Sequence, residues 1–226
     1  MFDAPAPSEE RVALESVEVM TPVQPSKMIC LWNNFRALAA KLEQAIPPEP
    51  LYLMKAPNAF LAHEQTIRKP ASYDGRVGYE GELGIVIGKT CSNAEPADAT
   101  ACIFGYTCVN DVTALEILNR DASFTQWTRA KNFDTFGVFG PVVATGLNPD
   151  ELSVVTLLNG RERQNYPCSD MIFAPAELVS RISKDMTLYP GDVIAVGTSI
   201  GIGPMRAGQT VEVVINGVGT LRNRFE

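Results

Sequence analysis

Apolar positions in this chain fall in short runs separated by Gly, Pro, Asn and Asp, a spacing that predicts many short strands and few helices. Lys27 to Trp32 reads as a buried strand, and Asn33-Asn34 offers a helix cap. Phe35 to Ala45 follows as an amphipathic helix with Phe35, Leu38, Leu42 and Ala45 on one stripe, stopped by Pro47, Pro48 and Pro50. Strands are expected at Leu51 to Lys55, Tyr79 to Gly88 and Ile103 to Val109, with a short helix over Ala97 to Cys102. Asp111 is placed to cap a further helix from Val112 to Asn119. Leu152 to Leu158 and Arg161 to Gln164 flank Asn159-Gly160, a strong hairpin signal. Pro175 opens a helix through Lys184, with Leu178, Val179 and Ile182 on its buried face. Strands at Val193 to Val196, Val211 to Ile215 and Gly219 to Arg224 close the chain, the first leading into the glycine-rich Gly197 to Gly203. Residues 1–25 form an N-terminal extension with at most a short strand at Val17 to Val19, and residues 26–226 form one domain. The fold class is β-rich α+β, a rolled or barrel-like sheet.

Composition narrows the functional classes. The 226 residues are 46% hydrophobic and 20% charged, typical of a soluble globular protein. A net charge of −7 without a dense Lys/Arg cluster argues against a nucleic-acid binder. Cys30, Cys91, Cys102, Cys108 and Cys168 show no metal-binding spacing and fit free thiols in a reducing cytosol. No run has membrane length and no signal peptide is evident, so the expected location is cytoplasmic.

The chemistry gathers between Tyr79 and Lys131. In Tyr79-Glu80-Gly81-Glu82-Leu83, alternation puts both glutamates on one face of an apolar strand, where they repel each other unless a cation joins them. Asp111 adds a third carboxylate, and three oxygen ligands without His or Cys suit Mg2+ or Mn2+. A solvated sheet edge explains the glutamates equally well, and a helix cap explains Asp111, so spacing alone leaves both open. His63, the single histidine, reads as an incidental loop residue.

The chain resembles the catalytic domain of the fumarylacetoacetate hydrolase family from Lys27 to Arg224. The motifs are Tyr79-Glu80-Gly81-Glu82-Leu83, Asn110-Asp111-Val112-Thr113-Ala114, Trp127 to Phe136, and Gly140-Pro141. Asp170-Met171-Ile172-Phe173, Met186 to Asp192, and Gly197-Thr198-Ser199-Ile200-Gly201 complete the set in order. The resemblance implies a mixed β-roll, usually a homodimer. It implies Mg2+- or Mn2+-dependent C–C cleavage, by hydrolysis or decarboxylation, of a small 2-oxo or 1,3-diketo acid, in the catabolism of aromatic compounds. It assigns Glu80, Glu82 and Asp111 as metal ligands and Lys131 as the catalytic group at the substrate oxyanion. Gly197 and Thr198 become substrate-binding candidates. Isomerisation or tautomerisation, hydration of unsaturated 2-oxo diacids, and a non-catalytic metal-binding member are the alternatives.

Two departures bear on the reaction. Many family hydrolases carry Asn-Tyr-x-x-His-x-x-Glu, whose His-Glu pair activates water; here the stretch is Asn34-Phe35-Arg36-Ala37-Leu38-Ala39-Ala40-Lys41. Leu38 cannot move a proton, and Lys41 is an acid near neutral pH. Where Ala-Arg-Asp-x-Gln is common, this chain has Ala114-Leu115-Glu116-Ile117-Leu118. Decarboxylation and isomerisation need only an electron sink and a proton transfer, so the missing dyad weighs most against hydrolysis. Metal-bound hydroxide or His63-Glu64 are the substitutes hydrolysis would require.

Overall fold

The computed structural model describes residues 9–13 and 16–226. The first half of the chain forms β1 (Met28–Trp32), α1 (Arg36–Lys41), β2 (Leu51–Lys55), β3 (Phe60–Leu61), β4 (Thr66–Ile67), β5 (Val77–Tyr79), β6 (Gly81–Ile87), α2 (Pro96–Thr100) and β7 (Ile103–Asp111). The second half forms β8 (Thr113–Ala114), α3 (Trp127–Lys131), β9 (Gly137–Ala144), β10 (Ser153–Leu158), β11 (Arg161–Pro167), α4 (Pro175–Asp185), β12 (Val193–Ala195), β13 (Gly203–Met205), β14 (Thr210–Ile215) and β15 (Gly219–Phe225).

A seven-stranded sheet has the order β2-β1-β12-β6-β7-β9-β3, and a five-stranded sheet the order β11-β10-β14-β15-β4. A third, three-stranded sheet has the order β13-β5-β8. The large sheet is mixed: β1 runs parallel to β12, while β12, β6, β7 and β9 alternate. This is the β-rich α+β roll expected from the sequence, with four α-helices among the described residues.

β6 explains why the site lies where it does. All seven of its residues are buried, so the strand is covered on both faces. Leu83, Ile85 and Ile87 point into the main core shared with the five-stranded sheet, as do Val154, Val213 and Leu221. Gly81 belongs to that same face, and a Cβ there would sit 2.0 Å from Thr156 Oγ1 of β10. The glycine between the two glutamates thus lets the two sheets approach closely here. The opposite face carries Glu82 and then Val86, which joins Met28, Cys30, Val109 and Val193 in a smaller apolar cluster. Glu82 pairs with Val109 in register, and two residues further along β7 comes Asp111.

Several elements differ from the sequence expectation. Val112 to Asn119 is not a helix: Gly78 and Val77 pair with Thr113 and Ala114 as strand, and turns follow. Glu116 is drawn away from any helical course by Tyr73 and Arg76, whose side chains bind its carboxylate. Asp111 therefore ends a strand and caps nothing. α1 stops at Lys41, and Asn34 does not cap it; its side chain instead bonds Phe173 N–H and the carbonyls of Phe173 and Val196. Residues 17–19 contain no strand. β9 and α3 were missed because Gly137 to Ala144 lacks alternation and Trp127 to Lys131 spans barely one turn. The Asn159-Gly160 hairpin forms as expected, with φ of 50° and 70°. No helix among the described residues is long and apolar enough to cross a membrane.

Candidate metal and catalytic centre

Glu80 lies between β5, which belongs to the three-stranded sheet, and β6, which belongs to the seven-stranded one. Its amide bonds Asn110 Oδ1 at 3.0 Å and its carbonyl accepts from Asp111 N–H at 2.9 Å, fixing the strand switch against the end of β7. That switch brings one carboxylate oxygen each of Glu80, Glu82 and Asp111 within 4.8 Å of one another, all buried. The Lys131 ammonium, at the end of α3, donates to Glu80 Oε1 at 2.9 Å and Asp111 Oδ2 at 2.6 Å. A second buried lysine, Lys55, reaches Asp111 Oδ1 at 2.7 Å.

Three carboxylates thus face two ammonium groups, and the excess charge falls on Glu82. Its Oε2 accepts from Gly197 N–H at 2.9 Å, while its Oε1 is buried without any hydrogen-bond partner. Burial pushes the Glu82 carboxyl well above the ordinary carboxylate range, and the Asp111 and Glu80 charges push it further. Burial would also raise Asp111, but the Lys131 and Lys55 ammonium groups outweigh it and hold this carboxyl below its ordinary value. For Lys131, burial disfavours the charge, yet Asp111, Glu80 and Glu82 outweigh it and hold the side chain firmly protonated. A partnerless carboxylate oxygen beside two other carboxylates fits a divalent cation, and the all-oxygen donor set suits Mg2+ or Mn2+.

Gly197 and Thr198 lie against this centre. Gly197 has φ of +93°, and its N–H is committed to Glu82. The Thr198 hydroxyl donates to Gly81 O at 2.9 Å and accepts from Gln164 Nε2 at 2.8 Å. Gln164 also accepts from Gly81 N–H, so one buried amide ties the glycine loop to the Glu-x-Glu strand. Tyr166, whose hydroxyl donates to Gly81 O, has its pKa raised well above normal, chiefly by burial.

The structure separates other residues from the centre. His63 Nδ1 accepts from Arg222 N–H of β15, and its ring pairs with Glu64; neither residue bonds any member of the acidic cluster. Leu38 is buried in the main core, and Lys41 is exposed. Leu115 packs against Gly78, where a Cβ would come within 2.8 Å of its Cδ2. Lys55, Gln164 and Asn110 were missed by sequence reasoning. A polar residue ending or interrupting an apolar strand looks identical whether it is solvated or buried, and only Asn110, adjacent to Asp111, carried a motif signal.

Known proteins resemble this chain along most of its length. A family model described as fumarylacetoacetate (FAA) hydrolase C-terminal matches residues 27–226. An oxaloacetate tautomerase of Bacillus subtilis is 36% identical over 227 residues, covering 94% of this chain and 74% of that protein. A mitochondrial oxaloacetate tautomerase of Arabidopsis thaliana is 36% identical over 202 residues, 88% of this chain and 90% of that one. The crystal structure of a 5-carboxymethyl-2-hydroxymuconate delta-isomerase from Mycobacterium smegmatis superposes with a TM-score of 0.86 at 38% identity, over 94% of this chain and 83% of the other. The chain belongs to the fumarylacetoacetate hydrolase family.

Proposed function

We propose that this protein is a Mg2+- or Mn2+-dependent tautomerase or isomerase of a small 2-oxo diacid, with oxaloacetate as the first substrate to test. The observation that carries the reading is a charged lysine set among three buried carboxylates, with the single histidine bonded elsewhere. Leu38 occupies the dyad position, and His63 is committed to Arg222 and Glu64. Hydrolysis of a C–C bond needs a base that turns water into a nucleophile; tautomerisation involves no attacking water and needs only a group that carries the proton between C3 and the 2-oxygen. The names of the two tautomerases and the isomerase support the same choice.

Glu80, Glu82 and Asp111 would hold the ion, which supplies Lewis-acid polarisation of the 2-oxo group when bound. Lys131, kept protonated by Asp111 and Glu80, donates a hydrogen bond and positive charge where the enol oxygen develops. Gln164 and Gly81 hold the Thr198 hydroxyl at the cluster's edge, where exchange of one bond lets it meet a substrate carboxylate. The buried surroundings exclude bulk water and strengthen each of these contacts.

The test is NMR observation of enol-to-keto conversion of oxaloacetate with Mg2+ or Mn2+, with pyruvate formation and acylpyruvate cleavage followed in parallel. Accelerated interconversion without C–C cleavage is expected, and Lys131→Ala should lower its turnover by about 10²–10³, as for loss of one oxyanion donor. Faster formation of pyruvate, or cleavage of an acylpyruvate, in place of interconversion would return the protein to decarboxylation or hydrolysis.

A further inference from the structure

Lys55 lies outside every family motif named above, yet it is among the most thoroughly enclosed charges in the molecule. Its side chain has no exposed surface. Its ammonium donates to Val112 O at 3.0 Å, Lys131 O at 2.7 Å and Phe136 O at 2.7 Å, and lies 2.7 Å from Asp111 Oδ1. Three backbone carbonyls and a carboxylate are acceptors enough for its three N–H bonds. An isolated buried ammonium is costly, and this set of partners offsets the loss of water.

The partners are not scattered. Asp111 ends β7 and Val112 follows it, Lys131 ends α3, and Phe136 precedes β9. Lys131 O belongs to a helix terminus, whose last carbonyls lack intrahelical partners. The path of the lysine stem is kept open by Gly137, the register partner of Asp111, where a Cβ would meet Lys55 Cδ at 3.3 Å. We propose that Lys55 is the positioning residue of the metal centre. Its charge lies against one oxygen of Asp111, which has no hydrogen-bond partner, while the other oxygen accepts from Lys131, and its N–H bonds anchor the backbone from which Lys131 projects. The two lysines divide the work: Lys131 faces the cluster, and Lys55 sets the angle at which Asp111 and Lys131 meet it.

The inference rests on the reading of the three carboxylates as an ion site, and the experiment separates the two. Manganese binding is measured by calorimetry on wild type, Glu82→Gln and the near-isosteric Lys55→Met, at a temperature where all are folded. Wild type should bind one ion and Glu82→Gln should lose it. Lys55→Met should bind 10–100-fold more weakly, the range for removing a group that orients a ligand. Its kcat should fall while KM moves less, because Lys55 touches no substrate. Unchanged manganese affinity in a folded Lys55→Met, with only its melting temperature lowered, would make Lys55 a structural pin and overturn the proposal while leaving the ion site intact. Absence of binding in wild type would overturn both. Should Lys55→Met fail to fold, wild type serves alone. The Lys55 ammonium resonance, assigned by side-chain correlation NMR, should shift on adding Mg2+, and one unmoved at saturation would likewise overturn the proposal.

Discussion

Two fully buried carboxylates stand at opposite ends of β6, and they are treated very differently. Asp192, bonded to the Ile87 end through its backbone, accepts from Ser26 N–H, the Ser26 hydroxyl, Lys27 N–H and Tyr189 N–H, and pairs with the Lys27 ammonium. Glu82, at the other end, has one backbone donor, one bare oxygen and two carboxylate neighbours. Asp192 is a satisfied polar knot that fastens the segment before β1 to the turn before β12. Glu82 is held in place without being satisfied, and that residual need marks a binding centre. Burial alone does not separate structure from site; the completeness of the hydrogen-bond set does.

The comparison is broken most directly by exchanging the charges. Glu82→Gln should weaken divalent-ion binding by at least about 100-fold by calorimetry, while the ion-free chain keeps or gains stability, because a buried like charge is removed. Asp192→Asn should do the reverse. Stability in urea should fall by about 1–3 kcal/mol, as for buried donors left without their charged partner, with ion affinity unchanged. Equal effects of the two changes on affinity would erase the distinction drawn here.

A smaller effect is expected at His63, which has partners but no contact with the centre. His63→Ala should alter turnover by less than about tenfold, below the 10²–10⁴ typical of a lost general base. A collapse of turnover, with ion binding retained, would reinstate His63 as the base of a hydrolase.

The smallest effect belongs to a solvated ion pair. Glu116 is held at a pKa of about 2 by the Tyr73 hydroxyl and the Arg76 guanidinium. Its folded pKa lies below the unfolded value of about 4.3, so its contribution is present above that value and is lost as pH falls towards the folded one. With the Arg76 and Glu116 side chains 67% and 39% exposed, solvent screening limits it to less than about 1 kcal/mol. Glu116→Gln should therefore only slightly flatten the acid limb of a melting-temperature profile between about pH 2 and 4.

How much of this was legible beforehand follows from what each residue depends on. Local patterning determined β1, β2, β6, the β10–β11 hairpin and α4, because alternation, an Asn-Gly turn and a leading proline act within a few residues. It also put Glu80 and Glu82 on one side of the chain, and the ordered motifs placed Asp111 and Lys131 beside them. Tertiary structure alone decided that Val112 to Asn119 would not be a helix. There, pairing of Thr113–Ala114 with β5 and capture of Glu116 by Tyr73 and Arg76 override local propensity. It alone decided that Lys55 is sealed beneath the site rather than solvated at the end of an edge strand, and that Glu82 keeps one oxygen unpartnered. Period and turn chemistry are properties of neighbouring residues, whereas burial and hydrogen-bond completeness are set by segments more than fifty residues apart, such as Lys55 and Lys131.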